Sequence, residues 1–561
     1  MISRSIFSFF RKRGPSSIIF FILLLALIPL AELFNQIHRK DYFQAFVIFV
    51  WFTAVLVFPV FIFRKNLKLY LALLIPVYLV VPINLLYVWS FNSELSADIM
   101  LLVFNTNRYE AMELLHNYWV GLVAIYLVYI AAIVLLWRKC PTVIPPKLAY
   151  SLAAVCLVII VIFPTLDIKY TTRTIYETAR ANISDKFPVN ILKGIKRHRE
   201  EMQMVGEMEK YRQNFHFQAK RDSSIQGKQV IVLIIGESSR YDHWGINGYN
   251  RNTSPRLAKR QNLLNFSNVA SGSHVTELAV PLLLSGVGAE NFADHVRKKN
   301  ILGLFNEVGY NTYWISDQAK GLGFIEVHTR QAQHQYHKMG DQRRDKDMYL
   351  LDSLNKVLKQ PGDRKFIVIH TMGSHYDYAE RYPDEFDIYK PSYKTFSARV
   401  SDIKHKNVLI NSYDNSIVYS DAVIDSVINM VNKLNNFSSV LYLSDHGENL
   451  LDDNRRLNFH NTGNPASQYQ LHIPLFLWYS PQLQQKYPDK IANLASHKNA
   501  AISSQSLIYT LSSLAGISYP AQDASKNIAS PFFKDSKQYV LGDEEKVYSY
   551  PYIKKADELY K

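Results

Sequence analysis

The sequence predicts two parts of different fold class: an N-terminal domain of about five transmembrane helices and a C-terminal α/β domain with a largely parallel central sheet. Long Leu, Ile, Val and Phe runs are confined to the first third of the 561 residues. Five of these runs reach the ~20 residues that a helix needs to cross the hydrocarbon core. In the remainder, continuous apolar strand patterns alternate with helical patterns, which is typical of a parallel sheet covered on both faces.

The five predicted spans and the charges beside them indicate an orientation. The runs are Ser16–Phe34, Phe43–Phe63, Leu69–Trp89, Tyr118–Trp137 and Leu148–Leu166. No small-x-small cleavage site follows the first run, so we expect an anchor rather than a cleaved signal peptide. Basic residues cluster before span one, between spans two and three, and between spans four and five, and such loops belong on the cytoplasmic side. Everything after about Asp167 is therefore predicted to lie outside the cytoplasm.

Charge and cysteine content exclude several classes of function. The net charge is +15, from 63 Lys and Arg against 48 Asp and Glu. No basic segment with interleaved aromatic residues stands out, so proximity to anionic lipid explains the charge better than nucleic-acid binding does. The two cysteines, Cys140 and Cys156, fall in the membrane part. The remaining part therefore has no disulfide, cysteine nucleophile or thiolate metal site, and a metal there must use oxygen and imidazole ligands.

We predict three regions along the chain: a transmembrane domain over residues 1–167, a linker with interfacial helices over 168–225, and a catalytic domain over 226–561. The segment Asn190–Gln213 is charged and helical with little to bury, which is typical of a linker helix. Buried-strand patterns follow in the third region, at Gln229–Ile235, Thr312–Ser316, Lys365–His370, Ser439–Leu443 and His472–Trp478.

Reactive side chains stand at the ends of three of these strands. Glu237 comes directly after the first strand. His370 ends the third strand and His375 follows it, while Asp445 and His446 follow the fourth. Because ligands of open α/β sheets gather at the carboxyl ends of the strands, we expect these groups at one edge. Each residue alone has a structural explanation, but their coincidence favours a metal site, and mixed carboxylate and imidazole ligands suit zinc.

The segment Ser271–Pro281 contains a candidate nucleophile. Thr276 stands near a predicted helix start, where backbone N–H groups favour a phosphate anion. A bound metal lowers the pKa of a hydroxyl and makes it more nucleophilic. On the residues alone, the simpler interpretation is that Thr276 is only a helix N-cap, because Ser and Thr are common there.

An ordered series of motifs resembles the phosphoethanolamine transferases of the sulfatase and alkaline-phosphatase-like superfamily. The motifs are Ile234–Arg240, Asn247–Tyr249, Arg251–Pro255, Ser271-Gly272 with Thr276 and Pro281, His370–His375, Tyr413–Asn415, Ser444–Glu448, Phe459-His460 and Pro474–Trp478. They cover most of residues 229–480 in the right order, and the five-span anchor fits the same family. A lone Asp-His-Gly would be a weak signal, whereas the ordered set is specific.

The resemblance implies the roles of individual residues. Thr276 is the implied catalytic nucleophile, which becomes modified with phosphoethanolamine. The implied zinc ligands are Glu237, Thr276, Asp445 and His446. The implied substrate-binding residues are His375, His460, His370 and Lys320. One zinc ion (Zn2+) is expected, and His375 and His460 would hold either the donor phosphate or a second zinc ion.

The implied reaction moves phosphoethanolamine from phosphatidylethanolamine to a glycolipid through phospho-Thr276. The expected acceptor is lipopolysaccharide or lipooligosaccharide, at core heptose, another sugar or lipid A. Members that modify lipid A often carry several disulfides in the soluble domain, and their absence here shifts the expectation towards core sugar. The chain is expected to be a monomer in the bacterial inner membrane, with its catalytic domain in the periplasm, in contact with membrane lipid and not with nucleic acid.

Four alternative functions differ from this one in what they require of the sequence. A glycerol-phosphate transferase of the lipoteichoic-acid type differs in its donor headgroup, which the sequence does not reveal. A sulfatase needs Cys or Ser in a C/S-x-P-x-R setting, which Thr276 followed by Glu277-Leu278 does not supply. A non-catalytic membrane scaffold has no need of a complete set of zinc ligands. A transporter is disfavoured because the predicted spans contain almost no ionisable residue, Glu32 being an exception.

Overall fold

The computed structural model describes most of the chain. The described residues are 16–38, 42–91, 108–167, 187–318, 323–337, 346–397, 400, 402–460, 466–542 and 545–561. The chain divides into two compact units, Met1–Arg197 and His198–Lys561. The predicted division at residues 167 and 225 stays a prediction, since residues 168–186 of the predicted linker lie outside the described residues.

The first unit is helical throughout its described residues apart from short turns. Its helices are α1 Ser16–Ala26, α2 Leu30–His38, α3 Tyr42–Val57, α4 Val60–Phe63, α5 Leu67–Leu73, α6 Ile75–Phe91, α7 Arg108–Lys139 and α8 Pro146–Asp167. A ninth helix, α9 Val189–Gln213, carries the chain from this unit into the second one. This helix lies where the charged pattern predicted a linker helix.

The number of membrane spans depends on two bent helix pairs. In the described part of the chain, three stretches are long and apolar enough to cross a membrane: Tyr42–Phe63, Tyr118–Lys139 and Pro146–Thr165. The pairs α1–α2 and α5–α6 pass the same test together, but they bend by 62° and 52°. The predicted number of five therefore holds only if each bent pair is one span. Pro29 and Pro76 lie at the two bends, where the missing backbone N–H weakens a helix.

The second unit is built on a seven-stranded sheet. Its strands are β1 Gln229–Gly236, β2 Leu263–Phe266, β3 Asn311–Ser316, β4 His334–His337, β5 Arg364–His370, β6 Phe437–Ser444 and β7 Leu475–Tyr479. Their order is β2-β7-β6-β1-β5-β3-β4. Strands β1, β3, β4, β5 and β6 are parallel, whereas β7 runs antiparallel to β6 and β2. The predicted largely parallel sheet is confirmed, with one antiparallel strand, β7, next to the edge strand β2.

The other elements of the second unit connect and cover these strands. The helices are α10 Thr276–Ser285, α11 Ile301–Glu307, α12 Phe324–Thr329, α13 Leu350–Lys359, α14 Lys406–Asn432, α15 Gln468–Leu471, α16 Pro481–Lys486, α17 Pro488–Ser496, α18 Leu507–Leu514 and α19 Tyr550–Asp557. Short strand pairs join Lys220–Arg221 to Ile517–Ser518, Val269–Ala270 to Ile502–Ser503, Asn449–Leu450 to Asn458–Phe459, and Tyr539–Leu541 to Val547–Ser549.

Strand β1 is the centre of the core. All eight of its residues are buried, as expected for a parallel strand with helices on both faces. On one face of the strand, Ile231, Leu233 and Ile235 pack with residues from α10, α11 and α18 in one apolar cluster. Burial of this surface supplies the main stabilisation of the unit.

The register of the central strands brings their carboxyl ends to one level. Ile235 pairs with His370 on one side and with Leu443 on the other. The Asp445 amide then donates to the carbonyl of Gly236 at 3.0 Å, which continues the ladder beyond the strand end. The segments that follow β1, β5 and β6 therefore leave the sheet side by side.

We expect Leu233→Ala to destabilise the second unit because Leu233 is fully buried in the middle of β1. Loss of a buried leucine side chain lowers the free energy of unfolding by about 2–5 kcal/mol. The measurement is the thermal midpoint of the full chain in detergent. The control is Leu434→Ala, at a leucine that is 37% exposed, and equal shifts for the two variants would contradict the assignment of the core.

Candidate active site

Thr276 is the first residue of α10, and its side chain points to two of the predicted metal ligands. Val275, in an extended conformation, is the N-cap of this helix. The Thr276 hydroxyl donates to Glu237 Oε2 at 3.1 Å and lies 3.1 Å from His446 Nε2. The N-cap interpretation of Thr276 is therefore wrong, because its hydroxyl contacts the residues that follow β1 and β6 instead of its own helix.

Glu237, Asp445 and His446 form a compact group at the carboxyl edge of the sheet. One potential ligand atom from each residue lies within 4.8 Å of those of the other two. His446 Nε2 is 3.3 Å from Glu237 Oε1 and 3.5 Å from Asp445 Oδ2. All three side chains are buried. The convergence predicted from three strand ends is thus present in the structure for these residues.

Hydrogen bonds orient the side chains of this group. His446 Nδ1 lies 2.7 Å from the carbonyl of Gly447, which accepts the Nδ1 proton and leaves Nε2 directed at Glu237 and Asp445, where it offers a lone pair once its own proton is displaced. Asp445 Oδ1 accepts the backbone N–H groups of Ser238 and His446. Asp445 Oδ2 has no hydrogen-bond partner. A buried carboxylate oxygen without a partner is costly unless a cation binds it.

Electrostatics in this group show an excess of buried negative charge. Burial and the carboxylate of Glu237 raise the pKa of Asp445 to about 8. Burial opposes ionisation of His446, but Asp445 and Glu237 outweigh it and raise the pKa of the imidazole to about 10. The group therefore retains protons that a divalent cation would displace.

The rings of His375 and His460 lie close to each other beside this group. Their ring centroids are 5.9 Å apart, and His460 lies 4.5 Å from the ring of His446. His375 Nδ1 contacts the carbonyl of Tyr376 at 2.6 Å, so its Nε2 is the free nitrogen. Burial lowers the pKa of His375 to about 4, which keeps its ring neutral near pH 7. The two predicted substrate-binding histidines therefore lie at the site.

The other two predicted substrate-binding residues have different outcomes. His370 is buried at the end of β5, edge-on to Trp314 with ring centroids 5.5 Å apart, and burial lowers its pKa to about 4. Its position is that of a neutral core histidine close to the site. Lys320 lies outside the described residues, and its role stays a prediction.

Three residues at the site were not assigned from the sequence. Gln318 donates from Nε2 to Glu237 Oε2 at 3.1 Å and to the Thr371 carbonyl at 3.1 Å. Glu448 is fully buried and lies 3.5 Å from His460 Nδ1. Asp347 accepts the backbone N–H groups of Met372 and Gly373, both at 2.9 Å. Gln318 and Glu448 follow strand ends closely, which is a usable signal, whereas nothing in the sequence around Asp347 indicates its contact.

Backbone contacts fix the loop that carries Glu237. Ser238 has a positive φ of 56°, a conformation that a non-glycine residue keeps only when its surroundings hold it. The Tyr413 hydroxyl donates to the Ser238 carbonyl at 2.7 Å and accepts the Arg240 amide at 2.9 Å. Gly373 also packs against Glu237, since a Cβ there would lie 2.8 Å from the Glu237 carbonyl oxygen.

The arrangement is suited to nucleophilic chemistry on an anionic group. It combines a hydroxyl at a helix start, two carboxylates and an imidazole with free lone pairs, and two further imidazoles beside them. The N–H groups at the start of α10 favour a phosphate or sulfate anion next to Thr276. The donor atoms, two carboxylates, one imidazole nitrogen and one hydroxyl, fit a divalent metal such as zinc.

Known proteins share the fold of the second unit. The family model described as Sulfatase matches residues 229–517. The crystal structure of the C-terminal periplasmic domain of EptC from Escherichia coli, in complex with zinc, is 26% identical, with a TM-score of 0.54. The match covers 59% of this chain and 95% of that domain. At this level of similarity the sheet and its flanking helices are shared.

Two further comparisons extend beyond that domain. Phosphoethanolamine transferase EptC from Escherichia coli is 26% identical over 509 residues, which is 87% of each chain. The integral membrane protein lipooligosaccharide phosphoethanolamine transferase A (EptA) from Neisseria meningitidis has a TM-score of 0.71 at 20% identity. That match covers 91% of this chain and 98% of the neighbour, so the fold of the helical N-terminal region is shared as well.

The family match spans more than half of the chain and contains the strands that carry Glu237, Asp445 and His446 together with α10. The chain therefore belongs to the sulfatase family, with phosphoethanolamine transferases among its relatives.

Proposed function

We propose that this protein transfers phosphoethanolamine from phosphatidylethanolamine to the sugar or lipid A part of a cell-envelope glycolipid, with Thr276 as the nucleophile. The observation that carries the proposal is the position of the Thr276 hydroxyl, 3.1 Å from both Glu237 Oε2 and His446 Nε2. Relatives named as phosphoethanolamine transferases, one of them acting on lipooligosaccharide by its name, support the cargo and the class of acceptor.

Zinc is the metal that we assign to the site. Glu237, Asp445, His446 and the Thr276 hydroxyl would hold it. Two atoms fit that role: Asp445 Oδ2, which is buried without a hydrogen bond, and His446 Nε2, whose proton a cation would displace. The zinc complex of the related EptC domain supports the choice of metal. When bound, zinc supplies positive charge that lowers the pKa of a hydroxyl ligand and offsets charge on phosphoryl oxygens.

In the first displacement, the Thr276 oxygen forms a bond to phosphorus, and the bond from phosphorus to the glycerol oxygen breaks. Glu237 Oε2 is the atom to which the Thr276 proton already points, and it accepts that proton. Diacylglycerol leaves with a proton, for which we assign His460 as the donor because its Nδ1 faces the buried carboxylate of Glu448 at 3.5 Å. His375 lies beside this place, and its Nε2 would donate a hydrogen bond to a phosphoryl oxygen once that nitrogen carries a proton, a form that the phosphate anion favours.

The second displacement reverses these roles. An acceptor hydroxyl or phosphate oxygen attacks the phosphorus of phospho-Thr276, and an acceptor hydroxyl gives its proton to His460. The bond from phosphorus to the Thr276 oxygen breaks, and Thr276 takes back its proton from Glu237. In-line attack on the same phosphorus requires the acceptor to occupy the place that diacylglycerol leaves. One site therefore serves both substrates in turn.

We further propose that the protein is a monomer of the bacterial inner membrane with the second unit on the periplasmic side. Alternate basic loops between apolar stretches support this orientation. Both cysteines, Cys140 and Cys156, lie in the first unit, so the second unit has no thiol to be oxidised outside the cytoplasm. Donor and acceptor are both lipid-anchored, so a membrane anchor keeps the enzyme at the surface that contains them.

Thr276→Ala should abolish transfer, because it removes the attacking oxygen and leaves the buried ligands in place. The rate of diacylglycerol release from phosphatidylethanolamine should fall by at least about 10³-fold, while Thr276→Ser, which keeps a hydroxyl, should retain measurable activity. Intact-mass analysis of the wild type with donor alone should show one added phosphoethanolamine at Thr276. Transfer by the alanine variant at the wild-type rate would refute the covalent step.

Asp445→Asn should remove most of the bound zinc, because the amide replaces a carboxylate ligand of the buried group. The measurement is metal content per full chain after purification in zinc-buffered detergent. Asp489→Asn, at an exposed aspartate on α17, is the matched control and should keep the wild-type zinc content. Equal zinc in both variants would show that the metal binds elsewhere.

Cells that express the chain should contain envelope glycolipid heavier by one phosphoethanolamine, and cells with the Thr276→Ala variant should not. Mass spectrometry of the intact glycolipid and of its separated lipid A and core fragments measures the gain and locates it. A gain on core sugar is the result that we expect from the absence of cysteine in the second unit. Unchanged glycolipid with the wild type expressed would count against the proposed function.

A further inference from the structure

A segment outside the family match contacts both sides of the site. The sulfatase match ends at residue 517, whereas the brace segment, Tyr539–Lys561, follows it and is described except for residues 543 and 544. It contains the strand pair Tyr539–Leu541 with Val547–Ser549 and the helix α19. Its contacts reach the loop before Thr276 and the loop before His460.

The first contact of the brace segment holds the nucleophile loop. The Leu541 amide donates to the Gly272 carbonyl at 2.8 Å, and the Ser273 hydroxyl donates to the Leu541 carbonyl at 2.8 Å. Val540 is buried in an apolar cluster that includes Ala270, which precedes the same loop. Gly272 and Ser273, which lie three and two residues before Val275, are therefore held by the brace segment.

The second contact is made by Asp557, which is 1% exposed at the end of α19. Its Oδ1 pairs with the Arg455 guanidinium at 2.9 Å, and its Oδ2 accepts the Gln468 amide at 2.6 Å. The Arg455 guanidinium also lies over the Tyr560 ring, 4.6 Å from its centroid. The loop that leads to His460 is thus tied to α19 by a buried charge pair.

Helix α15 connects these two contacts to the metal ligands. Its first residue is Gln468, the partner of Asp557. The carbonyls of Gln470 and Tyr469 accept the amides of Gly447 and Glu448, which directly follow His446, at 2.7 and 3.1 Å. The Leu471 carbonyl accepts the Ser271 amide at 2.9 Å, at the start of the nucleophile loop. A shift of α15 would therefore move the loops on both sides of the site.

We propose that Asp557 is a positioning residue that sets the place of His460 relative to Thr276, by fixing the loop of Arg455 and helix α15 to the brace segment. The inference rests on the proposed function for its effect on transfer, and on the contacts alone for its effect on the loops. Asp557 touches no substrate and acts through Arg455 and Gln468. Its loss leaves Glu237, Asp445 and His446 on the ends of core strands, so zinc binding persists.

Three variants distinguish the effect of the Asp557 charge from the effect of its side-chain size. Asp557→Asn keeps the size of the side chain and one oxygen for the Gln468 amide, but it removes one of the two negative charges that pair with Arg455, the other being that of Asp453. Asp557→Glu keeps the charge on a longer stem and is the conservative variant. Glu558→Gln removes one negative charge at the next position, from an exposed side chain, and is the matched control.

The first measurement is hydrogen exchange of the full chain in detergent, read by mass spectrometry. A charged hydrogen-bonded contact holds a loop closed, so Asp557→Asn should speed exchange about tenfold or more in peptides covering residues 451–460 and 466–471. Asp557→Glu should restore part of the protection, and Glu558→Gln should match the wild type. Unchanged exchange in Asp557→Asn overturns the proposal.

The second measurement is diacylglycerol release from phosphatidylethanolamine vesicles, with zinc content and thermal midpoint recorded for each variant. Asp557→Asn should lower kcat about tenfold or more, because displacement of a reacting group by ~1 Å costs up to ~10²-fold, with KM and zinc content close to wild type. On a His460→Ala background the same change should lower kcat no further. A lower thermal midpoint with kcat per zinc-loaded chain unchanged would reduce Asp557 to a stabilising residue and overturn the proposal.

Failure of the proposed function gives a different pattern. If the wild type releases no diacylglycerol, the transfer reaction is wrong, and the exchange measurement by itself decides whether Asp557 holds the two loops. If the wild type is active and Asp557→Asn is equally active at equal zinc content, the positioning role is wrong and the function stands.

Discussion

The rest of the site depends on one electrostatic constraint, the burial of two carboxylates beside one imidazole at Glu237, Asp445 and His446. Like charges at this distance in a poorly solvated place repel each other, and burial raises the cost of ionising them. Part of the cost is offset by backbone amides, since Asp445 accepts the N–H groups of Ser238 and His446. The part of this cost that the amides do not offset is the reason why the donor set suits a divalent cation. The hydroxyl of Thr276 contacts Glu237 and His446 in the same group.

Precise placement of these groups requires support from parts of the chain that carry no chemistry. Tyr413 holds the strained Ser238 segment from α14, and Asp347 accepts two amides of the turn before His375. Helix α15 accepts amides from the segments on both sides of the site. Short loops that follow parallel strands are otherwise free to shift, so a buried polar contact at each one is what makes the geometry reproducible.

The two units meet different physical requirements of the proposed reaction. Its substrates are lipid-anchored, and a chain with several apolar helices stays in the membrane that holds them. Phosphoryl transfer needs fixed charge rather than a deep apolar pocket, because the transition state spreads negative charge over the phosphoryl oxygens. The carboxyl edge of a parallel sheet provides such a place, since several strands end there side by side and the residues that follow them come together.

The sequence by itself determined the two-part organisation, the parallel sheet and the residues Glu237, Asp445 and His446. These follow from local pattern: apolar length separates membrane helices from strands, and parallel strands bring the residues after them to one edge. The apolar runs did not show that two of the predicted spans are bent at Pro29 and Pro76, because an average over twenty residues hides a single missing N–H.

Only the tertiary structure decided the contact of Thr276 with Glu237 and His446, the approach of Gln318, and the link from Asp557 through Arg455 to the loop of His460. In each case the partners lie on elements far apart in the chain. Strand pattern and motif spacing describe neighbours along one element, whereas contacts between elements depend on how the helices and loops pack over the sheet.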